Sequence, residues 1–370
     1  MLKKIINIVR GSFRPKKINQ IIFFITGNCN LKCQHCFYWK NLNDQEDISI
    51  DKIKKLSLSL PKFNFLLLSG GEPFLRKEIE EIIDIFSKNN FIKAVAIPSN
   101  GFAVDLTIKK IKLLTTKFPN INFYINFSLD GLKKTHEEIR SVKNSYRNVI
   151  TSIKRAGVVS QKTPNLFIGI NSVISAKNID QIDPLIKKLK IIGRKWNYKH
   201  YFEIIRGNPR MPLIKNLNSA KAEKLFFGTI IDYQKYLWSK NNNSWLNASI
   251  NRLITEINFY FQYKLQLDNV FRRKPWPMPC MAGKTIITVN HRGEIGSCEL
   301  RKPLVNLKNI EYNLGKFLKS KKMNQEIISI KNDRCFCSHI CFISESLYNN
   351  PKTLVFTQLY TWLKYRMFNP

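Results

Sequence analysis

Residues 21–39 read IIFFITGNCNLKCQHCFYW, and both the fold and the chemistry of this chain are legible from that stretch outward. Ile21–Ile25 form an apolar run with no polar alternation, the pattern of a buried strand. The strand empties into a loop that carries Cys29, Cys33 and Cys36. Three thiolates at that spacing can hold three irons of a cubane cluster and leave the fourth open for chemistry. A zinc ion would need a fourth ligand. His35 is the neighbouring candidate, but its adjacency to Cys36 makes joint tetrahedral ligation awkward.

The strand-then-loop pattern recurs along the chain. FNFLLLSGG (63–71), FIKAVAIPSNG (91–101), INFYINFSLDG (121–131), LFIGINSVI (166–174) and HYFEIIRG (200–207) read as further strands. Helical segments are expected between them near 50–60, 76–89, 103–117, 144–156 and 178–191. Apolar strands alternating with helices predict a parallel sheet, here an α/β partial (β/α)6 TIM-like barrel. The informative polar residues stand at strand ends, where such folds place their chemistry. These are Gly70, Gly71, Glu72 and Pro73; Ser99 and Asn100; Ser128 and Asp130; Asn171; and Arg206. His136 and Arg140, in HEEIR, share one helical face at i,i+4 spacing.

Composition narrows the class. The 370 residues carry Lys+Arg 61 against Asp+Glu 26, a net charge of +35, with 44% hydrophobic content. That suffices for one sizeable core plus a second unit, and the charge favours anionic partners. The excess of Lys, Asn and Ile is equally accounted for by compositional bias. No run of 18 apolar residues occurs, and the start, MLKKIINIVRGSFRPKK, lacks the pattern of a signal peptide. The eight cysteines fall in two groups far apart in the chain. Clustered thiols without an export signal point to metal sites in a reducing compartment, so a cytoplasmic location is expected.

The boundaries follow: a basic segment over 1–17, the partial barrel over 18–207, and a mostly helical, aromatic-rich segment over 208–275. A cysteine-rich α+β extension spans 276–345, and an aromatic and basic tail 346–370. In the extension, ITVNHRGEIGSC reads as a hairpin turning at HRG, with Cys280 and Cys298 at its base. Cys335, Cys337 and Cys341 follow in RCFCSHICF.

CNLKCQHCF resembles the signature of the radical S-adenosylmethionine (radical SAM) superfamily. The resemblance implies that Cys29, Cys33 and Cys36 hold a [4Fe-4S] cluster whose open iron binds S-adenosylmethionine (AdoMet). Reductive cleavage of AdoMet would yield a 5′-deoxyadenosyl radical that abstracts a substrate hydrogen. SGGEPFL is similar to the family's GGEP element, with Glu72 a candidate acceptor for the AdoMet ammonium. Ser99 and Asn100 resemble the ribose-contacting end of strand three, and Ser128 and Asp130 the polar end of strand four. Arg140 would stand near the methionine carboxylate. Asn171 and Arg206 are further cofactor-binding candidates. Arg206 also reads as a substrate-anion ligand or as an ion-pair partner.

The hairpin spacing resembles the SPASM/twitch extension of radical SAM enzymes, which carries auxiliary [4Fe-4S] clusters. With five cysteines rather than seven, one auxiliary cluster is expected. Cys280 and Cys298 would be ligands, completed by two of Cys335, Cys337 and Cys341. A structural zinc site using four of these thiols, with His339 or His291, stays open. The resemblance implies oxidation or cross-linking of a peptide or small molecule, and an electron donor such as flavodoxin or ferredoxin. A lipid-linked substrate met at the inner membrane face is an alternative, because both chain ends mix basic with apolar residues. A non-catalytic iron–sulfur or zinc RNA-binding protein is a second alternative. It is less favoured, because nucleic-acid binding does not need GGEP, SNG and SLDG at successive strand ends. Few residues precede the first strand, so neither a cobalamin-binding nor a leader-binding domain is expected there.

Overall fold

A computed structural model describes residues 17–43, 47–240 and 245–368. The basic segment expected over 1–17 lies, apart from Lys17, outside the described residues.

Six parallel strands appear in chain order: β1 (Gln20–Thr26), β2 (Phe65–Gly70), β3 (Ala94–Ser99), β4 (Asn122–Ser128), β5 (Leu166–Ile174) and β6 (Tyr198–Ile204). Each strand pairs with the next. The crossovers carry α1 (Ile50–Ser59), α2 (Ile79–Asn90), α3 (Val104–Lys117), α4 (Lys133–Arg140), α5 (Ser145–Ser160) and α6 (Ile182–Ile192). Helix α2 shows why these segments are helical. Ile79, Ile82, Ile83 and Phe86 are buried at i, i+3, i+4 and i+7, one face of a 3.6-residue period.

The sheet does not end at β1. Strand β7 (Ile286–Val289) pairs with β1 in parallel, with Ile22 opposite Thr288. The antiparallel strands β8 (Glu294–Gly296) and β9 (Val305–Asn306) follow. The result is one mixed nine-stranded sheet, order β6-β5-β4-β3-β2-β1-β7-β8-β9, open at β6 and β9. With its flanking helices it is typical of the radical SAM partial barrel. The hairpin expected at HRG is present, and it is part of the main sheet.

This placement explains the sequence of β1. Ile21, Phe23 and Ile25 face the main core with Leu66 and Leu68 of β2. Ile22 and Phe24 face a second apolar cluster formed with Trp276, Met278, Phe342 and Ile343. Both faces are covered, so IIFFI shows no alternation. Strand β4 does alternate: Phe123, Ile125 and Phe127 are buried, whereas Tyr124, Asn126 and Ser128 are only partly covered on the inner face.

Helix α7 (Ser219–Lys224) packs on α9 (Trp245–Arg272), and α8 (Ile231–Lys240) and α9 cover the β6 edge. Gln266 Oε1 accepts from the Ile204 amide at 2.9 Å, and Gln234 Nε2 donates to the His200 carbonyl at 2.5 Å. Side-chain amides thus occupy backbone groups that an open edge would offer to another strand.

After β9 come α10 (Leu314–Phe317), α11 (Lys321–Asn332), α12 (Ile340–Tyr348) and α13 (Gln358–Phe368). Helix α13 docks on α9 through Tyr365, whose ring lies 4.4 Å from that of Tyr260. Trp362 Nε1 donates to Glu256 at 3.2 Å. Among the described residues, no helix is long and apolar enough to cross a membrane.

Candidate active site at the strand ends

The cysteine loop is held from four sides. Beneath it, the Gly71 and Glu72 amides donate to the Thr26 and Asn28 carbonyls, both at 2.8 Å. A Cβ at Gly70 would lie 2.2 Å from the Thr26 oxygen, and one at Gly71 2.1 Å from the Asn28 oxygen. The paired glycines therefore let β2 end in backbone contact with the loop. On a second side, Asp47 accepts from Thr26 Oγ1 at 2.7 Å and from the Gly27 amide at 2.8 Å, and pairs with Arg76 at 3.1 Å. On a third, the Gln34 amide donates to the Ile139 carbonyl at the end of α4, at 2.8 Å. On the fourth, the Arg210 and Met211 amides donate to Cys36 and Gln34 carbonyls, at 3.2 and 2.9 Å.

Glu72 is 3% exposed, and its carboxylate is already engaged. It accepts from Ser99 Oγ at 2.9 Å, from the Asn100 amide at 2.7 Å and from the Phe74 amide at 3.3 Å. Burial pushes its carboxyl up to about 7, against those hydrogen bonds. Glu72 thus ties the ends of β2 and β3 together. Asn100 reaches the cysteine loop through Asn30 at 2.8 Å.

Strand β4 stops at Ser128, so Asp130 stands on the connection to α4. It is fully buried and pairs with Arg140 at 2.6 Å. Its amide donates to His136 Nδ1 at 3.2 Å, and its Oδ1 accepts from the Val173 amide at 3.0 Å. The i,i+4 face of α4 is thereby turned onto Asp130. Burial pushes the Asp130 carboxyl up, but the Arg140 guanidinium overrides it and holds the group below the carboxylate range. Arg140 Nη1 also donates to Cys33 Sγ at 3.5 Å. Asn171 Oδ1, Arg140 Nε and His35 Nδ1 are buried polar atoms without a hydrogen-bond partner. A ligand or an ordered water would satisfy such atoms.

The donor chemistry suits a metal–sulfur cluster. Burial pushes the Cys29 thiol up to about 12 and Cys36 up to about 11. A bound cation would make thiolates favourable at such positions. Among the described residues, no three His, Cys, Asp or Glu side chains surround one ion-sized point. A cubane asks for less, one thiolate per iron.

The five cysteines of the extension line the second apolar cluster, which also includes Cys36, Phe37 and Tyr38. Burial pushes Cys280 up to about 12 and Cys298 up to about 11; Cys335 adds to both as a neighbouring charge. Cys337 and Cys341 are raised by burial too. Arg206 spans the two cysteine groups. Its guanidinium lies 5.1 Å over the Phe37 ring, and it pairs with Glu203 and, at 3.3 Å, with Glu299. His339 Nδ1 lies 3.3 Å from Glu299. Tyr38 Oη and His291 Nδ1, 2.5 Å apart, make a second bridge.

The strand ends thus bring together Glu72, Ser99, Asn100, Asp130 and Arg140 around the cysteine loop. Ser128 and Asn171 are opposite one another in the β4–β5 register. Arg206 is a half-buried ion-pair partner, shared with the extension. Sequence reasoning missed Asp47, Tyr38, Glu203 and Glu299. Only the acidic residue Glu299, next to Cys298, carried a local hint. Away from this site, a cavity of about 650 Å³ opens toward the N-terminal ends of β5 and β6, where Thr163, Pro164, Lys195 and Asn197 line it. Tyr124 and Phe167 stack on its wall at 5.0 Å, beside Asn126 and Tyr201.

Residues 23–173 match the radical SAM superfamily. The chain carries a radical SAM domain, with a cysteine motif consistent with a [4Fe-4S] site and AdoMet. It is 26% identical over 182 residues to Fe-coproporphyrin III synthase of Methanosarcina barkeri, covering 48% of this chain and 42% of that protein. It is 23% identical over 341 residues to GTP 3′,8-cyclase of Clostridium botulinum, 91% of each chain. In three dimensions it resembles anSMEcpe with bound AdoMet. The TM-score is 0.59 at 16% identity, over 85% of this chain and 83% of that one. The chain thus spans less than half of one of these curated relatives and most of the other.

Proposed function

We propose that this enzyme cleaves AdoMet reductively, takes a hydrogen atom from a peptide or small-molecule substrate, and oxidises or cross-links it. The observation that carries this reading is the contact chain Cys33–Arg140–Asp130, which joins the cysteine loop to the polar end of β4. Cys29, Cys33 and Cys36 would hold a [4Fe-4S] cluster, which when bound supplies one electron to the AdoMet sulfonium. Arg140, oriented by Asp130, would receive the methionine carboxylate. Asn171 Oδ1 would accept from a donor on AdoMet, and Glu72 would keep Ser99 and Asn100 in place.

Cys280 and Cys298, with two of Cys335, Cys337 and Cys341, would hold one auxiliary [4Fe-4S] cluster. A peptide is the substrate we favour, because anSMEcpe, alike in fold, has also been seen with AdoMet and the Cp18Cys peptide. A small carrier such as flavodoxin or ferredoxin would deliver the electron.

Anaerobic reconstitution should load about eight irons per chain, four per cubane. Reduction with AdoMet should then release 5′-deoxyadenosine, and Cys29→Ala should abolish it. Cys280→Ala should retain that release while product formation fails. Absence of 5′-deoxyadenosine from a fully loaded chain would refute the catalytic reading. About four irons would refute the auxiliary cluster.

A further inference from the structure

Helix α13 uses two faces. Trp362 and Tyr365 point into the α9 groove, and Gln358 is buried with them. At 100° per residue, the opposite face carries Leu359, Tyr360, Leu363 and Met367, and Phe356 extends it by a turn. None of these five is covered. Phe356 is 69% exposed, Tyr360 67% and Met367 70%, with Leu359 and Leu363 near half. No other aromatic side chain among the described large apolar residues is as exposed as Phe356 or Tyr360. Other exposed apolar residues, such as Leu58 and Ile191, stand on separate elements. Contiguous exposed apolar surface of this kind marks an interaction site.

Charge selects the partner. Residues 346–370 contain no Asp or Glu, but include Lys352, Lys364 and Arg366. Lys352 and Lys364 are exposed beside the stripe, and the whole chain carries +35. An apolar helical stripe flanked by cations, on a strongly basic body, matches an anionic lipid surface. Aromatic and aliphatic tips enter the headgroup boundary while the lysines meet lipid phosphates. We propose that the outer face of α13 seats the enzyme peripherally on an anionic membrane. The contact is independent of the reaction proposed above. It leaves α13 docked on α9, because the docking residues lie on the other side of the helix.

The test uses the full chain and sedimentation with vesicles. Wild type should pellet with vesicles of phosphatidylglycerol and phosphatidylcholine, and much less with phosphatidylcholine alone. Binding should weaken as salt rises. Tyr360→Ser, Leu363→Ser and Met367→Ser combined should lower partitioning roughly tenfold or more, since each removes apolar surface that lipid would bury. The melting temperature should hold, because these side chains make no core contact. Lys352→Glu with Lys364→Glu should weaken the preference for anionic lipid. Failure of wild type to pellet would overturn the proposal. So would undiminished pelleting by the triple serine variant. A concentration-dependent dimer that the triple variant dissolves, without vesicle binding, would assign the face to a second copy of the chain and equally overturn it.

Discussion

Glu72 combines a structural and a titrating role. Its three hydrogen bonds pull the carboxyl down, but burial dominates and leaves it at about 7. Because the folded value lies above the unfolded one, the folded chain holds the proton more tightly. The stability from this group is fully present below about pH 4.5 and declines as pH rises through about 7, on the order of 3 kcal/mol in all. In the AdoMet-free protein, stability should therefore fall between pH 5 and 8, and Glu72→Gln should flatten that slope. Urea midpoints across the range check it; parallel slopes in the two proteins would refute the assignment. The substituted amide must also turn an NH2 toward the Asn100 or Phe74 amide, so the variant should be about 1–3 kcal/mol less stable at pH 5. Glu72 and Asn100 were legible in the sequence because both lie beside strand-end turns. Asp47 was not: it lies 20 residues from Gly27, with no motif to announce their hydrogen bond.

At the scale of elements, the end of β2 is the platform for the cysteine loop. Gly71→Ala would push a methyl into the Asn28 carbonyl, against backbone that cannot swing aside. The expected loss is about 2–4 kcal/mol, together with weaker iron retention at the first site. Gly131→Ala is the control. Its Cβ would meet only side-chain carbons, of Thr135 at 3.2 Å and Gln181 at 3.6 Å, so it should cost less and leave iron content unchanged. Denaturant midpoints and iron per chain check both; equal effects would remove the special role of Gly71. The parallel strands and their helices followed from apolar runs alternating with periodic segments. The edge-covering duty of α8 and α9 did not. It depends on single glutamines, Gln234 and Gln266, meeting β6 backbone in space.

At the scale of the whole molecule, the extension is continuous with the radical SAM sheet through β7 and is tied again by Arg206. The guanidinium neutralises Glu203 from β6 and Glu299 from the extension, and all three are largely buried. Arg206→Met would leave two buried carboxylates facing each other, at a cost of about 3–5 kcal/mol. Arg206→Lys should recover part of it. Tryptophan fluorescence and far-ultraviolet circular dichroism should report one coincident unfolding transition in the wild type. The Met variant should unfold earlier. Two separate wild-type transitions would show that the shared sheet does not couple the parts.

The amino-acid sequence by itself determined what local spacing can encode: six strand–helix units, the thiol triplet, the strand-end polar residues and a hairpin between Cys280 and Cys298. Tertiary structure decided how these meet. It turned both faces of β1 into core, joined the hairpin to β1, closed Arg206 between Glu203 and Glu299, and set Tyr38 against His291 across 253 residues of chain. It also left one face of α13 bare. Apolar periodicity is a property of neighbours in the chain. Ion pairs, edge covering and exposed stripes depend instead on which distant surfaces the packed sheet brings together.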